Sequence, residues 1–361
     1  MYKTHRQITI NQHIYSDKEI DLLQEKSEPE NSWQNQIYSF IKNWFDESET
    51  IECQTSGSTG MPKKILLKKS AMYHSAIATN AFFELDKNST ALLCLPASYI
   101  AGKMMLIRAI AGQFNINIVE PSKNPVEKIN FPVDFVAITP YQLVNSVQNL
   151  KTVDVKKIIV GGGQLNNQAE EIANVLNSKV YETYGMTETA SHIALRRVNG
   201  SEKSDYFTLL KGISIDVDEQ KRLLINAPYI SDNKLITNDI VEIIDKHNFR
   251  WLGRADRVIN SGGIKIFPEQ IEKKIKELIS ENYFIARFSD ETLGEKAVLV
   301  IEGKKKSDNE IELLQKRISQ QLERYEIPKR IIFVPNFIYS ESGKILIRET
   351  IYFFNPSTYC L

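Results

Sequence analysis

Thr55-Ser56-Gly57-Ser58-Thr59-Gly60-Met61-Pro62-Lys63 is the stretch whose reading decides that of the whole chain. Hydroxyl side chains are threaded between two glycines, and a proline and a lysine close the run. Gly57 and Gly60 permit positive φ and close backbone approach, while Thr55, Ser56, Ser58 and Thr59 add donors to the bare N–H groups. Lys63 adds a point charge suited to a polyphosphate oxygen. The Walker spacing Gly-x-x-x-x-Gly-Lys-Ser/Thr occurs nowhere in the chain, so a phosphate loop here is of another kind. A flexible Gly/Ser turn has a similar composition. The choice between the two readings rests on what else the chain contains.

At 361 residues the chain has room for two domains, each with its own core. Lys plus Arg and Asp plus Glu balance at 45 each, so no global field favours nucleic acid or an anionic membrane, and a small-molecule substrate is expected. No apolar run approaches the roughly 18 residues that cross a bilayer, and the first residues lack the apolar core of a signal peptide; a cytoplasmic protein without membrane insertion is expected. Cys53, Cys94 and Cys360 are widely spaced and form no Cys-x-x-Cys pair, which argues against a disulfide framework or a zinc site. Cys53, just before the loop, reads as a buried strand residue rather than a nucleophile.

Outward from the loop, residues 1 to about 50 carry amphipathic helical patterns at Asp17 to Leu23 and Trp33 to Trp44 and suggest no chemistry. After the loop come a strand at Ile65 to Leu67, a helix at Lys69 to Leu85, a strand at Ala91 to Pro96 and a buried helix at Tyr99 to Gln113 with Gly102 as an approach point. Strands at Asn115 to Val119, Phe135 to Thr139, Lys157 to Val160 and Val180 to Thr183 then alternate with helices at Pro140 to Asn149 and Asn166 to Leu176. That alternation predicts an α/β domain with a largely parallel sheet. Gly161-Gly162-Gly163 follows a strand end, which is either a plain turn or the place where such sheets bind nucleotides. Short strands from Phe207 to Val241 suggest a small β subdomain. From Pro268 on, a helix at Glu269 to Ser280 leads into alternating strands and a helix at Asp308 to Leu322. Lys304 to Lys306 reads as a solvated hairpin turn or as an anchor for phosphate groups.

Four further stretches stand in order after the loop: Leu95-Pro96-Ala97-Ser98-Tyr99-Ile100-Ala101-Gly102, Tyr184-Gly185-Met186-Thr187-Glu188-Thr189, Leu235-Ile236-Thr237-Asn238-Asp239, and Trp251 through Gly263 into Glu272. Tyr339-Ser340-Glu341-Ser342-Gly343-Lys344-Ile345 closes the series. Singly, each has a plain structural reading: Tyr184 as core, Glu188 as a helix-capping carboxylate, Asp239 as a turn residue, Gly343-Lys344 as an exposed loop. Together with the phosphate loop they resemble the signatures of the adenylate-forming superfamily, which includes acyl-CoA synthetases, luciferases and peptide-synthetase adenylation domains.

The resemblance implies an α/β fold with a large N-terminal domain of mainly parallel sheets and a small β subdomain, residues 1–255, holding the ATP and acid sites. A mobile, smaller α+β C-terminal domain, residues 256–361, would carry the catalytic lysine Lys344, with Asp256 as the hinge. It also implies that Gly161, Gly162 and Gly163 with Tyr184 and Gly185 frame the adenine, that Thr187 lies near the α-phosphate, and that Glu188 holds Mg²⁺. Asp239 would bind the ribose hydroxyls and Arg254 the ribose or a phosphate, while Gly262 and Gly263 would line the tunnel for coenzyme A. ATP, Mg²⁺ and coenzyme A are thus the expected cofactor and co-substrates, acting on a carboxylic acid; the oligomeric state stays open.

Departures from the pattern are the short stretch before the loop, which implies an abbreviated N-terminal subdomain, Lys64 in place of a glycine, and Tyr99 at a gate position often filled by histidine. Within the superfamily, the Tyr184 and Val258-to-Gly263 stretches are most similar to the o-succinylbenzoate:CoA ligases of bacterial menaquinone synthesis. The pocket of such an enzyme needs a cation or several donors for a second carboxylate, opposite an apolar wall. Lys103, Ser191 and His192 are the candidates, with Tyr99 and Gly102 at the gate; Arg108 is expected at a surface helix position. A ligase for another aryl or fatty acid, and a non-catalytic nucleotide-binding remnant, remain as alternatives.

Overall fold

The computed structural model describes residues 5–26, 32–54, 64–165, 167–231, 233–339 and 345–354. The phosphate-loop residues Thr55, Ser56, Gly57, Ser58, Thr59, Gly60 and Lys63 lie outside them, as do Lys344 and Cys360. The chain divides into two compact units. The first holds Met1–Asp216, Ile225–Leu235 and Ile244–Phe249, and the second holds Val217–Leu224, Ile236–Ile243 and Arg250–Leu361.

In the first unit the chain runs β1 (Gln7–Ile10), β2 (His13–Ser16), α1 (Asp17–Lys26), α2 (Trp33–Phe45), β3 (Thr50–Gln54), β4 (Lys64–Lys68), α3 (Lys69–Phe82), β5 (Thr90–Leu93), α4 (Ile100–Gly112), β6 (Asn115–Ile118) and β7 (Val133–Ile138). It continues through α5 (Pro140–Asn145), α6 (Val147–Leu150), β8 (Val155–Val160), α7 (Asn167–Asn174), β9 (Lys179–Gly185), β10 (His192–Arg197) and β11 (Phe207–Leu209). Among these strands the sheet order is β11-β10-β9-β8-β7-β5-β6-β1-β2. From β9 across to β1 every neighbouring pair is parallel, and β10, β11 and β2 are antiparallel additions at the two ends. The α/β reading with a mainly parallel sheet therefore holds.

Alternation along β7 shows how the sequence builds the layers, since successive strand residues face opposite sides. Val136 and Ile138 join Ile158, Val160 and Val180 in a core closed by Leu143 of α5, Leu150 of α6 and Ala169 and Ala173 of α7. Phe135 points the other way, where its ring meets Phe83 at 5.1 Å, and Phe83 in turn meets Tyr181 at 5.1 Å. Both faces are thus covered, which is what a parallel sheet requires.

Three local expectations are corrected. The expected helix from Pro140 to Asn149 breaks at Ser146 (φ −100°, ψ 0°), whose N–H is shared by the carbonyls of Gln142 and Leu143. A shared bond of that kind tightens the turn and ends α5. The helix from Pro268 stops at Lys274 and continues only as a short 3₁₀ turn at Lys276–Leu278. The first 50 residues hold, besides helices, the hairpin of β1 and β2, whose four-residue strands are too short to carry a periodic signal.

Between Ser214 and Arg254 lie β12 (Ser214–Val217), β13 (Arg222–Asn226), β14 (Leu235–Ile243) and β15 (Asn248–Arg254). The second unit then adds β16 (Ile259–Ser261), β17 (Ile264–Ile266), α8 (Pro268–Lys274), β18 (Tyr283–Asp290), β19 (Gly294–Glu302), α9 (Asp308–Gln321), β20 (Arg330–Val334) and α10 (Ile347–Phe354). Its sheet has the order β17-β16-β19-β18, with β20 parallel to β19. Strand alternation sorts the two faces. Ile285, Leu299 and Ile301 pack with Ile271 and Ile275 and with Leu314 and Ile318 of α9, whereas Phe284, Phe288, Val298 and Val300 pack with Phe337 and Ile351 of α10. A reciprocal cap starts α9: Ser307 Oγ accepts the Glu310 N–H, and Glu310 Oε2 accepts the Ser307 N–H. Lys304 to Lys306 link β19 to α9 instead of turning a hairpin, and Lys305 and Lys306 pair with Asp308 and Glu281.

Leu299 is fully buried between α8 and α9, while Leu313 on α9 is 60% exposed. Leu299→Ala is therefore expected to lower the urea midpoint by an amount worth about 2–5 kcal/mol. Leu313→Ala should leave the midpoint within about 0.5 kcal/mol of wild type.

Candidate functional site

Sheet topology gathers most of the singled-out residues of the first unit. Strands β9, β8, β7 and β5 are parallel neighbours, so the segments leaving their carboxyl ends share one edge. Those segments are Met186 to Thr189, Gly161 to Gly163, Thr139-Pro140 and Cys94 to Tyr99. The carboxyl edge of a parallel sheet is where α/β proteins bind ligands. Gly161 to Gly163 make the turn after β8, Gly162 and Gly163 exposed and Gly162 at φ +80°.

Tyr184, next to last in β9, packs against Phe207 at 5.7 Å and Phe249 at 5.1 Å, two rings stacked on each other at 20°. Gly185 is required where it stands, because a Cβ there would lie 2.4 Å from the Ser191 carbonyl oxygen and 2.5 Å from His192 Cα. Thr187 and Glu188 follow in a single 3₁₀ turn, Thr187–Thr189, with Glu188 exposed and Thr189 buried. Thr189 Oγ1 ties the turn together by bonding the Met186 and Ser191 carbonyls at 2.8 and 2.7 Å, and it accepts the Met186 N–H at 3.0 Å. A rigid turn that offers one exposed carboxylate suits Mg²⁺, which takes one or two protein carboxylates and completes its shell with substrate phosphates and water. No cluster of three or more His, Cys, Asp or Glu side chains that could hold a metal by themselves occurs among the described residues.

Arg108 departs from expectation. Placed at a helix surface by the sequence reading, it is 2% exposed inside α4. Its Nη2–H donates to Ser191 Oγ at 2.7 Å and its Nη1–H meets Met105 Sδ at 3.5 Å, while Nε–H has no partner among the described residues. Burial alone pulls its pKa down to about 9, and no carboxylate among the described residues lies within ion-pair distance. Among the described residues, therefore, no carboxylate compensates this buried guanidinium.

A directional chain runs on from it. Ser191 Oγ, accepting from Arg108, turns its own proton to His192 Nδ1 at 3.4 Å. His192 Nε2 lies 3.2 Å from Thr79 Oγ1, whose proton goes to the Ser75 carbonyl at 3.0 Å. The donor directions assign His192 the neutral tautomer with its proton on Nε2. Burial first, and then the Arg108 charge, hold His192 well below its ordinary value, in keeping with that neutral state. The candidates Ser191 and His192 are thus brought together, and the cation that joins them is Arg108.

Lys103 lies elsewhere. It stands five positions before Arg108, about 140° round the helix. Its Nζ donates to the Ser98 carbonyl at 2.7 Å and sits 6.0 Å above the Phe40 ring, lining a cavity of about 530 Å³ with Glu52, Ser39 and Asp46. Tyr99, exposed, precedes α4. Gly102 is an approach point as expected: a Cβ there would fall 2.2 Å from the Pro96 carbonyl oxygen. Lys64 pairs with Glu52 at 2.9 Å. Cys53 is buried in β3, and burial keeps its thiol above the ordinary value, as a structural cysteine.

In the second unit Asp239 and Arg254 come together, with Arg254 Nη1 3.8 Å from Asp239 Oδ1. Trp251, which the sequence reading left without a role, donates its Nε1–H to Asp239 Oδ1 at 3.1 Å. Arg254 also bonds Asp256, through Nε at 3.3 Å and Nη2 at 3.4 Å. The Arg254 N–H donates to Glu269 Oε1 at 3.3 Å, so α8 pins the backbone beside Asp256. Gly262 and Gly263, at φ +57° and +84°, are the two-residue turn between β16 and β17, where both central positions must be left-handed.

The sequence model of the AMP-binding enzymes matches residues 4–222, more than half of the chain. The chain belongs to the AMP-binding enzyme family. The acyl-CoA synthetase (AMP-forming)/AMP-acid ligase II-like protein of Dyadobacter fermentans is 35% identical with a TM-score of 0.61, the match covering 93% of this chain and 98% of that one. The 2-succinylbenzoate–CoA ligase of Staphylococcus epidermidis is 24% identical over 81% of this chain and 67% of its own length, so the chain spans about two thirds of that relative. In structure, the chain resembles the O-succinylbenzoate coenzyme A synthetase of Bacillus subtilis in complex with ATP and magnesium ion, with a TM-score of 0.67 at 18% identity over 86% of this chain and 74% of that one. This AMP-binding family member is an enzyme, and the relatives above are named as an AMP-forming acyl-CoA synthetase-like protein and as a CoA ligase. No helix among its described residues is long and apolar enough to cross a membrane.

The histidine of the buried chain sets a pH dependence. Its folded pKa is depressed, so the unfolded state takes up the proton first, and stability is lost as pH falls below about 6.5. The loss should approach about 1.4 kcal/mol per pH unit until the folded histidine titrates. Urea midpoints measured between pH 7 and 5.5 are expected to fall more steeply for wild type than for His192→Asn.

Proposed function

We propose that this enzyme activates a carboxylic acid with ATP and passes the acyl group to coenzyme A, and that the acid is o-succinylbenzoate, giving o-succinylbenzoyl-CoA for menaquinone synthesis in the cytoplasm. The observation that carries the choice of acid is Arg108. A buried cation with no carboxylate beside it among the described residues costs several kcal/mol unless something compensates it. A substrate with a second carboxylate supplies that compensation, and the chain through Ser191, His192 and Thr79 fixes the donor that would meet it. A neutral His192 matters here, because a second cation would add repulsion and would reverse the hydrogen-bond direction.

Activation is needed because a thiol attacking a free carboxylate would have to expel oxide. The carboxylate oxygen attacks the α-phosphorus, the bond to pyrophosphate breaks, and AMP then becomes the leaving group for the thiol. Bringing two anions together makes the first step a matter of positioning and charge neutralisation. We assign Lys63 and the hydroxyls of Thr55 to Thr59 to the leaving pyrophosphate, Thr187 to the α-phosphate, and Lys344 to the bridge between attacking oxygen and α-phosphate. Gly161 to Gly163, Tyr184 and Gly185 hold the adenine, and Asp239 and Arg254 the ribose. Glu188 would hold Mg²⁺, which neutralises phosphate charge when bound. For the thiol step we assign a rotation about Asp256 that withdraws Lys344 and brings the Gly262-Gly263 turn to coenzyme A, a hinge movement of an established kind.

Arg108→Met tests the choice of acid. An apolar side chain of similar length in place of a buried ion is often neutral or stabilising, so the variant should fold. KM for o-succinylbenzoate is expected to rise by about 10²-fold, while KM for an analogue lacking the second carboxylate stays within a few-fold of wild type. Unchanged discrimination between the two acids would rule out Arg108 as the partner and, with it, the support for a dicarboxylate.

A further inference from the structure

The Gly161 to Gly163 turn and the Tyr184 ring are held by different strands, and one buried side chain reaches both. Arg196, on β10 and 7% exposed, lies opposite Glu182 of β9 in the register. Its Nε–H donates to Glu182 Oε2 at 2.8 Å, its Nη2–H to Glu170 Oε1 of α7 at 2.7 Å, and its Nη1–H to the Ser204 carbonyl at 3.4 Å. The second oxygen of Glu182 accepts the Leu165 N–H at 3.1 Å. Leu165 is two residues beyond Gly163, so an unbroken series of bonds joins the guanidinium to the segment that carries the glycine turn. On its other side, Arg196 Cζ lies 6.0 Å from the Phe207 ring centroid. Phe207, with Phe249, is the aromatic backing of Tyr184.

Stability alone does not account for this triad, because buried ion groups of this kind are commonly no more stable than apolar packing of the same volume. A planar guanidinium with fixed donors does define angles that an apolar cluster leaves loose. Burial opposes the charge on Arg196, but Glu182 and Glu170 outweigh it and hold the guanidinium above its ordinary value, so the fork stays charged. Neither its position nor its partners could be read from the sequence, where Glu170, Glu182 and Arg196 fall outside every signature stretch.

We infer that Arg196 is a positioning residue for the nucleotide: it sets the distance between the Gly161 to Gly163 turn and the Tyr184 ring, and thereby the affinity for the base. The inference rests on the reading of these two elements as the adenine walls. Lysine at position 196 keeps the charge but cannot make the forked contacts to Glu182 and Glu170 together.

Titration of the full chain with ATP and Mg²⁺ in a calorimeter, beside steady-state kinetics, tests this. Arg196→Lys should weaken ATP binding and raise KM for ATP by about tenfold. Its kcat at saturating ATP and its KM for the acid should stay within twofold of wild type. Glu170→Gln, which removes the negative charge from one leg of the fork but keeps an acceptor oxygen there, should give a smaller change in the same direction and serves if Arg196→Lys does not fold. Tyr184→Ala tests the underlying reading separately. If Tyr184→Ala weakens ATP binding while the folded Arg196→Lys and Glu170→Gln proteins bind ATP as wild type does, the positioning role is overturned. If Tyr184→Ala leaves ATP binding unchanged, the adenine walls themselves are misplaced and the inference falls with them.

Discussion

A guanidinium in the core with no carboxylate beside it among the described residues is the constraint on which the proposed substrate site depends. Arg108 is covered by the apolar body of α4 and keeps its charge at neutral pH although burial has pulled its pKa down to about 9. Its hydrogen bond to Ser191 orients a chain of hydroxyl, imidazole and hydroxyl that ends on the backbone of α3. An arrangement that leaves a charge uncompensated among the described residues is poorly suited to stability and well suited to an anionic ligand. The proposed acid enters the account for that reason.

The sheet makes the arrangement possible. Parallel strands β5, β7, β8 and β9 deliver four segments to one edge, and glycines remove the side chains that would keep them apart. Gly102 lets α4 begin against the Pro96 carbonyl, and Gly185 lets the end of β9 lie on the backbone of Ser191 and His192. Arg108 and its partners, though more than 80 residues apart in sequence, are thereby set within hydrogen-bond distance. In the second unit the same economy appears around Arg254, which reaches both Asp239 and Asp256 while α8 fixes its backbone.

The segments that the sheet gathers at one edge were legible because Gly161 to Gly163 and Tyr184 to Thr189 stand in the sequence as short runs directly after strand patterns, whereas Thr55 to Lys63 lies outside the described residues. The alternation of strands and helices gave the parallel sheet for the same local reason. Arg108 was not legible. From Met104 to Ile110 the helix is buried on every side, so it lacks the polar face against which an inward charge would stand out. Lys103, beside the approach glycine, looked the better candidate, yet it turns to the Ser98 carbonyl. Trp251 and Arg196 were missed because a hydrogen bond from an indole, or a fork between strands, leaves no spacing in the sequence. The hairpin of β1 and β2 was missed because two four-residue strands show too few alternations.

The most direct measurement of the account is the fate of o-succinylbenzoate. The purified protein incubated with ATP, Mg²⁺, coenzyme A and o-succinylbenzoate, and followed by mass spectrometry, should yield o-succinylbenzoyl-CoA, AMP and pyrophosphate in equal amounts. With coenzyme A omitted, the acyl-adenylate should accumulate on the enzyme. ADP as the nucleotide product, or a thioester formed from other acids but not from o-succinylbenzoate, would contradict it.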